Sequence, residues 1–159
     1  MITTIEGNLL DAKETYIAHQ CNCVTKKVSG YFAKAIFDKW PEANDNEKET
    51  WGVFGTVKIH KVDNQKYVLN MFTQHNPGGP EEDNDKDREV AFGQALLRMA
   101  DFLTTHSKKH NVPYTIAFPY MIGCGLAGGN WDHYLTMLEL FEKIVSLNGG
   151  KVVLYKLQK

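Results

Sequence analysis

Apolar and polar positions alternate along the chain in short runs typical of strands, and these runs are interspersed with patterns of helical period. Six strands are expected, at residues 2–6, 16–21, 55–62, 66–73, 112–120 and 152–157. Asp63 and Asn64 separate the third run from the fourth, and this pair of turn formers predicts a hairpin. The hairpin requires antiparallel pairing in the middle of the chain.

Three stretches show helical patterns. The first covers about residues 30–39 and ends before Pro41, because a residue that precedes proline disfavours helical geometry. The second carries one apolar stripe made by Ala91, Ala95, Met99 and Phe102, and it runs to about Lys109. The third carries Tyr134, Leu138, Phe141 and Val145 and ends at Asn148-Gly149-Gly150.

The elements therefore follow the order ββ-α-ββ-α-β-α-β, which combines one local hairpin with crossover connections. This order predicts an α/β fold: a three-layer α/β/α sandwich with a mixed central sheet. The chain has 159 residues, 43% of them hydrophobic, and shows neither an internal repeat nor a linker. One domain is expected over residues 1–159.

Charge and cysteine content exclude several functional classes. Lys and Arg number 18 against 19 for Asp and Glu, so a nucleic-acid partner is not expected. No apolar run approaches the roughly 20 residues that cross a bilayer, and three cysteines without an apolar leader favour a soluble, cytoplasmic protein. Cys21-x-Cys23 has the wrong spacing for a zinc knuckle. Neither a metal nor a cofactor is predicted.

A glycine-rich run, Gly123-Cys124-Gly125-Leu126-Ala127-Gly128-Gly129, separates the fifth strand from the last helix. Residues without Cβ let the backbone approach a phosphate, and the following helix start adds positive potential. The run thus indicates a diphosphate-binding loop, the alternative being a turn that only reverses the chain. A dinucleotide fingerprint fails because no acid follows on a further strand, and a Walker loop fails because no Gly-Lys-Ser or Gly-Lys-Thr is present.

Several segments, taken in order, resemble the macrodomain family over nearly the whole chain. They are Gly7-Asn8-Leu9-Leu10, Ile17-Ala18-His19-Gln20-Cys21-Asn22, Phe32-Ala33-Lys34-Ala35-Ile36, Val68-Leu69-Asn70-Met71-Phe72-Thr73-Gln74, and Ala117-Phe118-Pro119-Tyr120-Met121-Ile122-Gly123-Cys124-Gly125-Leu126. Pro-x-x-Ile-Gly-Cys-Gly-Leu followed by Trp is similar to the branch that holds the yeast-type ADP-ribose-1''-phosphate phosphatase and a terminal ADP-ribose glycohydrolase.

The resemblance implies a site for ADP-ribose. Asn8 stands where many members carry an Asp that contacts adenine, with Leu9 beside it in the same loop. Asn22 stands at the distal ribose, together with Ser29 and Gly30 of the ribose loop, where Tyr31 replaces a small residue. The diphosphate loop corresponds to Ile122, Gly123, Cys124, Gly125, Leu126 and Ala127. Tyr155 corresponds to an aromatic beside adenine, the alternative being an ordinary sheet-edge tyrosine.

Three residues are candidates for catalysis: His19, Asn22 and Asp132. His19 matches a histidine of the phosphatase-like members and could relay a proton, the alternative being a buried, hydrogen-bonded histidine. The lysine and aspartate of the glycohydrolase-like members are replaced by Gln74 and Ala127, which argues against lysyl-adduct chemistry.

The remaining polar or reactive residues near the glycine run have structural interpretations. Asn130 is expected to cap the last helix, and Asp132 to complement its dipole, unless Asp132 orients a water. Cys124 lacks the Cys-x5-Arg arrangement of cysteine phosphatases and is interpreted as a small loop residue. Trp131 is expected to be a packing anchor.

Two functions follow from the resemblance. The first is a hydrolase that removes a phosphate or another group from the distal ribose of an ADP-ribose derivative, using a positioned water. The alternative is a non-catalytic module that binds ADP-ribose, free or attached to a protein. The expected partners are ADP-ribose or a derivative and possible ADP-ribosylated proteins, with no membrane.

Overall fold

A computed structural model describes residues 2–22, 31–45, 53–74, 85–124 and 129–157. The strands are β1 (Thr3–Glu6), β2 (Tyr16–Asn22), β3 (Val57–Asp63), β4 (Lys66–Gln74), β5 (Thr115–Pro119) and β6 (Lys151–Lys156). The helices are α1 (Tyr31–Lys39), α2 (Asp85–His110) and α3 (Trp131–Leu147), with short 3₁₀ helices at Leu9–Asp11 and Pro41–Ala43. The predicted order of strands and α-helices is confirmed.

The six strands form one mixed sheet in the order β1-β6-β5-β2-β4-β3. Neighbouring strands are parallel except for β3, which runs antiparallel to β4. The β3–β4 hairpin is therefore as predicted. Its turn lies at Asn64 and Gln65, one residue later than expected, and Gln65 adopts a φ of 57°. The Asp63 carboxylate accepts a hydrogen bond from the Asn64 amide at 2.7 Å and stabilises this turn.

Each face of the sheet has its own hydrophobic core. One face packs under α2 and α3, where Ala91, Ala95 and Met99 are buried as the helical stripe predicted. The other face packs under α1 and the 3₁₀ helices, through residues such as Ile36 and Phe37. Two covered faces make the three-layer α/β/α sandwich that was expected. Within the described part of the chain, no helix has both the length and the apolarity needed to cross a bilayer.

The largest boundary difference lies between α2 and β5. A strand was predicted from residue 112, but β5 begins at Thr115. The Val112 amide instead donates to the Ser107 carbonyl at 3.0 Å, and Asn111 adopts the left-handed conformation with φ 52°. This arrangement ends α2, so the residues before Thr115 belong to the helix termination.

At the carboxyl ends of the neighbouring strands β2 and β5, the chain leaves the sheet toward opposite faces. The connection after β2 passes through α1 on one face, whereas the connection after β5 passes through α3 on the other. The ladder between these strands covers Tyr16–Ile116 and Ile17–Ala117, and both strands continue beyond it. In open α/β sheets, ligands bind in the crevice at such a switch point.

Candidate functional site

The loop after β5 is closed at its neck by one backbone hydrogen bond. The Gly129 amide donates to the Gly123 carbonyl at 2.9 Å, so the ends of the glycine run lie side by side. A Cβ on Gly129 would lie 2.5 Å from that carbonyl oxygen. Gly123 has a φ of 75°, a conformation that favours glycine. At both positions, the glycine is therefore required by the closure of the loop.

The first half of this loop is anchored to the core. The Ile122 side chain is buried among the residues under α2 and α3, and its amide donates to the Pro119 carbonyl at 3.1 Å. The Cys124 amide donates to the Met121 carbonyl at 2.9 Å. These two amides are thus engaged inside the loop. Gly125, Leu126 and Ala127, which were predicted to hold a diphosphate, lie outside the described residues.

The start of α3 has the cap that the sequence predicted. Asn130 Oδ1 accepts from the Asp132 amide at 3.0 Å, and the Asn130 carbonyl accepts from the amides of His133 and Tyr134. Asp132 is exposed in the first turn, where a carboxylate complements the helix dipole. Trp131 packs edge-on against Tyr120 with ring centroids 5.2 Å apart, as expected of a packing anchor.

Cys124 has the environment of an inert thiol. Burial and the nearby Glu89 carboxylate raise the pKa of Cys124 to about 12. The thiolate is the nucleophilic form of cysteine, so this thiol is not activated near neutral pH. The observation agrees with the interpretation of Cys124 as a small loop residue.

His19 lies on the sheet face under α1, where it is only 1% exposed. Its Nε2 lies 2.6 Å from Asn70 Oδ1, and its ring meets that of Phe37 edge-on at 5.2 Å. Since Asn70 Oδ1 can only accept, Nε2 carries the proton. Burial lowers the pKa of His19 to about 4, so the imidazole is neutral at pH 7. This environment favours the buried, hydrogen-bonded alternative over the proton relay.

The Asn70 amide extends this contact into a buried polar network. Its Nδ2 donates to the Ala43 carbonyl at 2.7 Å and to Asp45 Oδ2 at 2.9 Å. Asp45 Oδ2 also accepts from His60 Nε2 at 2.9 Å. Burial by itself would raise the pKa of Asp45, but the hydrogen bonds from His60 and Asn70, together with the charge of Lys58, outweigh it and lower the pKa. His19 is thus one end of a chain of polar contacts that leads to β3.

The residues predicted to contact adenine lie at the carboxyl ends of β1 and β6. Asn8 Oδ1 accepts from the Leu10 amide at 3.0 Å and caps the first 3₁₀ helix, while the Leu9 side chain is buried. The Tyr155 hydroxyl donates to Glu14 Oε1 at 2.7 Å, and its ring lies against Gly7. Because β6 pairs with both β1 and β5, Tyr155 does not lie on a sheet edge.

The distal side of the predicted site is only partly described. Asn22 ends β2 and pairs with Gln74 of β4 across a register shift, but its side chain lies outside the described residues. Ser29 and Gly30 also lie outside them. Gln20 Nε2 donates to Gln74 Oε1 at 2.7 Å, so these amides form a pair where the glycohydrolase-like members have a lysine.

The structure brings together one pair of polar side chains that the sequence analysis missed. Glu89 of α2 and His133 of α3 lie 2.8 Å apart beside the glycine loop. They are 44 residues apart in sequence and belong to no recognisable motif, so only the packing of α2 on α3 reveals them. Among the described residues, no three His, Cys, Asp or Glu side chains are arranged to hold a metal ion.

The fold is shared with several solved structures. The chain is similar to a Bacteroides thetaiotaomicron protein of unknown function, with 25% identity, a TM-score of 0.74 and 98% coverage of both chains. It is also similar to the macrodomain of Mycobacterium tuberculosis DarG, with 19% identity, a TM-score of 0.71, and coverage of 98% and 97%. A mutant Oceanobacillus iheyensis macrodomain with ADPR has 15% identity, a TM-score of 0.66, and coverage of 97% and 83%.

Comparisons of the sequence with protein families and curated proteins identify no relative. No protein-family model matches the chain, and no curated protein sequence matches it. The structural similarity covers nearly the whole chain, so the fold is that of a macrodomain.

Proposed function

We propose that the chain binds ADP-ribose at the carboxyl ends of β2 and β5 and hydrolyses a derivative that carries a group on the distal ribose. The observation that carries the proposal is the closed glycine loop at the switch point of a macrodomain fold. A similar macrodomain was solved with ADPR. ADP-ribose-1''-phosphate is the first substrate to test.

The strand order supports one orientation of the ligand. Asn8 follows β1 and Tyr155 lies near the end of β6, both on one side of β5, whereas Asn22 ends β2 on the other side. A diphosphate along residues 122–127 would then have adenine toward Asn8 and the distal ribose toward Asn22. Asn8 Oδ1 retains a second lone pair for the adenine amino group beside its bond to the Leu10 amide.

Calorimetry with ADP-ribose tests the binding site. Gly129→Ala should weaken affinity by at least about tenfold, because its Cβ forces the loop neck apart. Gly125→Glu should block binding by placing a carboxylate at the diphosphate position. Gly93→Ala is the matched control, because its Cβ would meet only the Met137 sulfur at an ordinary 3.5 Å. Equal affinity in all three variants would reject the site.

A second candidate function is recognition of ADP-ribose, free or attached to a protein, without turnover. The burial of His19 favours it, since a neutral histidine under α1 is not placed to reach a ligand. Gln74 and Ala127 at the glycohydrolase positions favour it as well.

Phosphate release from ADP-ribose-1''-phosphate, together with ADP-ribose release from modified protein, separates the two functions. Tight ADP-ribose binding without turnover of either substrate would support the non-catalytic binding function. If turnover occurs, His19→Ala and Asp132→Asn test two of the three predicted catalytic residues. Thermal unfolding must accompany the His19 variant, because removing a buried hydrogen-bonded side chain also lowers stability.

A further inference from the structure

The pair formed by Glu89 and His133 has the geometry of an oriented imidazole. His133 Nδ1 lies 2.8 Å from Glu89 Oε1, and the side chains are 59% and 25% exposed. A carboxylate can only accept, so Nδ1 carries the proton of this hydrogen bond. In the neutral imidazole, Nε2 then holds the lone pair and can accept a proton. The exposure of His133 leaves this ring open to solvent and solutes.

The pair is held against the neck of the glycine loop. Tyr134, the residue after His133, packs directly against this neck. A Cβ on Gly123 would lie 2.6 Å from the Tyr134 ring, and a Cβ on Gly129 would lie 3.1 Å from it. Cys124 of the same loop lies near enough to Glu89 for the carboxylate to raise its pKa. Asp132 precedes His133 on α3. Glu89 of α2 thus links the imidazole of α3 to the loop through its proximity to Cys124.

The strand order places the pair on the distal side of the proposed ligand. α2 follows β4, which lies beyond β2 and away from β1 and β6. α2 packs against β4 and β3, and Glu89 lies in its second turn, so Glu89 is on the side of the loop where the distal ribose is proposed. Trp131, in contrast, packs on Tyr120, which follows β5.

We infer that His133 is the general base of the proposed hydrolysis and that Glu89 is its positioning residue. This inference rests on the proposed function. Nε2 removes a proton from water as the water oxygen bonds to the phosphorus of the 1''-phosphate. The bond from phosphorus to the ribose oxygen breaks with its electron pair on that oxygen. Because the attacking and leaving oxygens lie on opposite sides of the phosphorus, solvent water protonates the ribose oxygen and the imidazolium loses its proton to solvent, giving ADP-ribose and inorganic phosphate.

The competing interpretation is an exposed ion pair that only joins α2 to α3. Such pairs contribute little to stability, so the loss of the pair alone should leave the protein folded and active. A general-base role instead makes the rate depend on the imidazole itself. The experiment must therefore distinguish the loss of the imidazole as a proton acceptor from the loss of the contact between α2 and α3.

The experiment compares phosphate release and ADP-ribose affinity in wild type, His133→Ala, Glu89→Gln and the control His110→Ala, an exposed histidine at the end of α2. His133→Ala should lower kcat at least about 100-fold with ADP-ribose affinity unchanged, and added imidazole should restore part of the rate. Glu89→Gln should lower kcat less, because a glutamine oxygen can still accept from Nδ1.

The outcomes separate this inference from the proposed function. If wild type turns over and His133→Ala retains its rate, or loses it without imidazole rescue while affinity also falls, the general-base role is overturned and the function stands. If wild type binds ADP-ribose but releases no phosphate, the inference is overturned and the binding module remains. A wild type that does not bind ADP-ribose overturns both.

Discussion

Two histidines on opposite faces of the sheet have opposite environments. His19 is buried under α1, its Nε2 committed to Asn70 and its pKa lowered to about 4. His133 is 59% exposed at the start of α3, and Glu89 accepts a hydrogen bond from its Nδ1. The first belongs to a polar network inside the core, and the second has an exposed ring beside the glycine loop.

The different environments of the two histidines show that closeness to a motif along the sequence does not determine where a side chain points. His19 precedes Asn22 on β2, but successive residues of a strand point to opposite faces. Gln20 accordingly points toward Gly123, whereas His19 points under α1. Buried polar groups keep their partners, so His19 is expected to affect stability and His133 chemistry. The following predictions test that division.

Removing the centre of the buried network should have the largest effect on stability. Asn70→Ala leaves His19 Nε2, the Ala43 carbonyl and Asp45 without the amide they share. We expect a loss of about 3 to 4 kcal/mol in the free energy of unfolding, measured with urea. Asn148→Ala removes an exposed amide that bonds to Ile144 and should cost about 0.5 kcal/mol. Similar losses would show that the network contributes nothing special.

The buried state of His19 should make stability depend on pH. Its folded pKa of about 4 lies below the unfolded value, so unfolded chains bind more protons between these values and stability falls as pH drops from about 6.5 to 4. Between pH 7 and 4.5 the loss from this group should be about 2 kcal/mol.

His19→Gln should reduce that loss, because its amide has no charge to bury. Urea unfolding of both proteins at each pH isolates the contribution, since other groups that titrate, such as His106 and Asp45, are common to both. An identical pH dependence in the two proteins would mean that His19 binds protons equally well in folded and unfolded chains, and would contradict its lowered pKa.

Breaking the exposed pair should hardly change stability. Glu89→Gln is expected to alter the free energy of unfolding by less than about 0.5 kcal/mol, because exposed ion pairs contribute little. Lys34→Ala, which removes a pair with Asp38 at 2.7 Å on α1, is the matched control. A loss in Glu89→Gln well above that of the control would assign the pair a structural role and weaken the division between the two histidines.

The thiol of the loop should have the smallest effect. Cys124→Ala is expected to leave phosphate release and ADP-ribose affinity within about twofold of wild type, because a thiol with its pKa raised to about 12 supplies no nucleophile. A large loss of turnover with unchanged affinity would instead restore a covalent cysteine mechanism.

Much of the candidate site could be anticipated from residues that act through the backbone. The absence of a Cβ at Gly123 and Gly129 does not depend on the tertiary structure, and Asn130 caps the helix that directly follows it. Their roles could therefore be predicted from the neighbouring sequence alone. The roles of side chains were harder to predict from the sequence. Asn8 was assigned to adenine, yet its oxygen also caps the neighbouring 3₁₀ helix, which the sequence analysis did not predict.

The sequence by itself determined the order of strands and helices, the hairpin and the position of the glycine loop. These features depend on local periodicity, turn formers and residues without Cβ, which act over a few positions. Tertiary structure alone decided that β6 lies between β1 and β5, that His19 joins Asn70, and that Glu89 meets His133. Those outcomes depend on which elements pack together, and each contact joins residues that are distant along the chain.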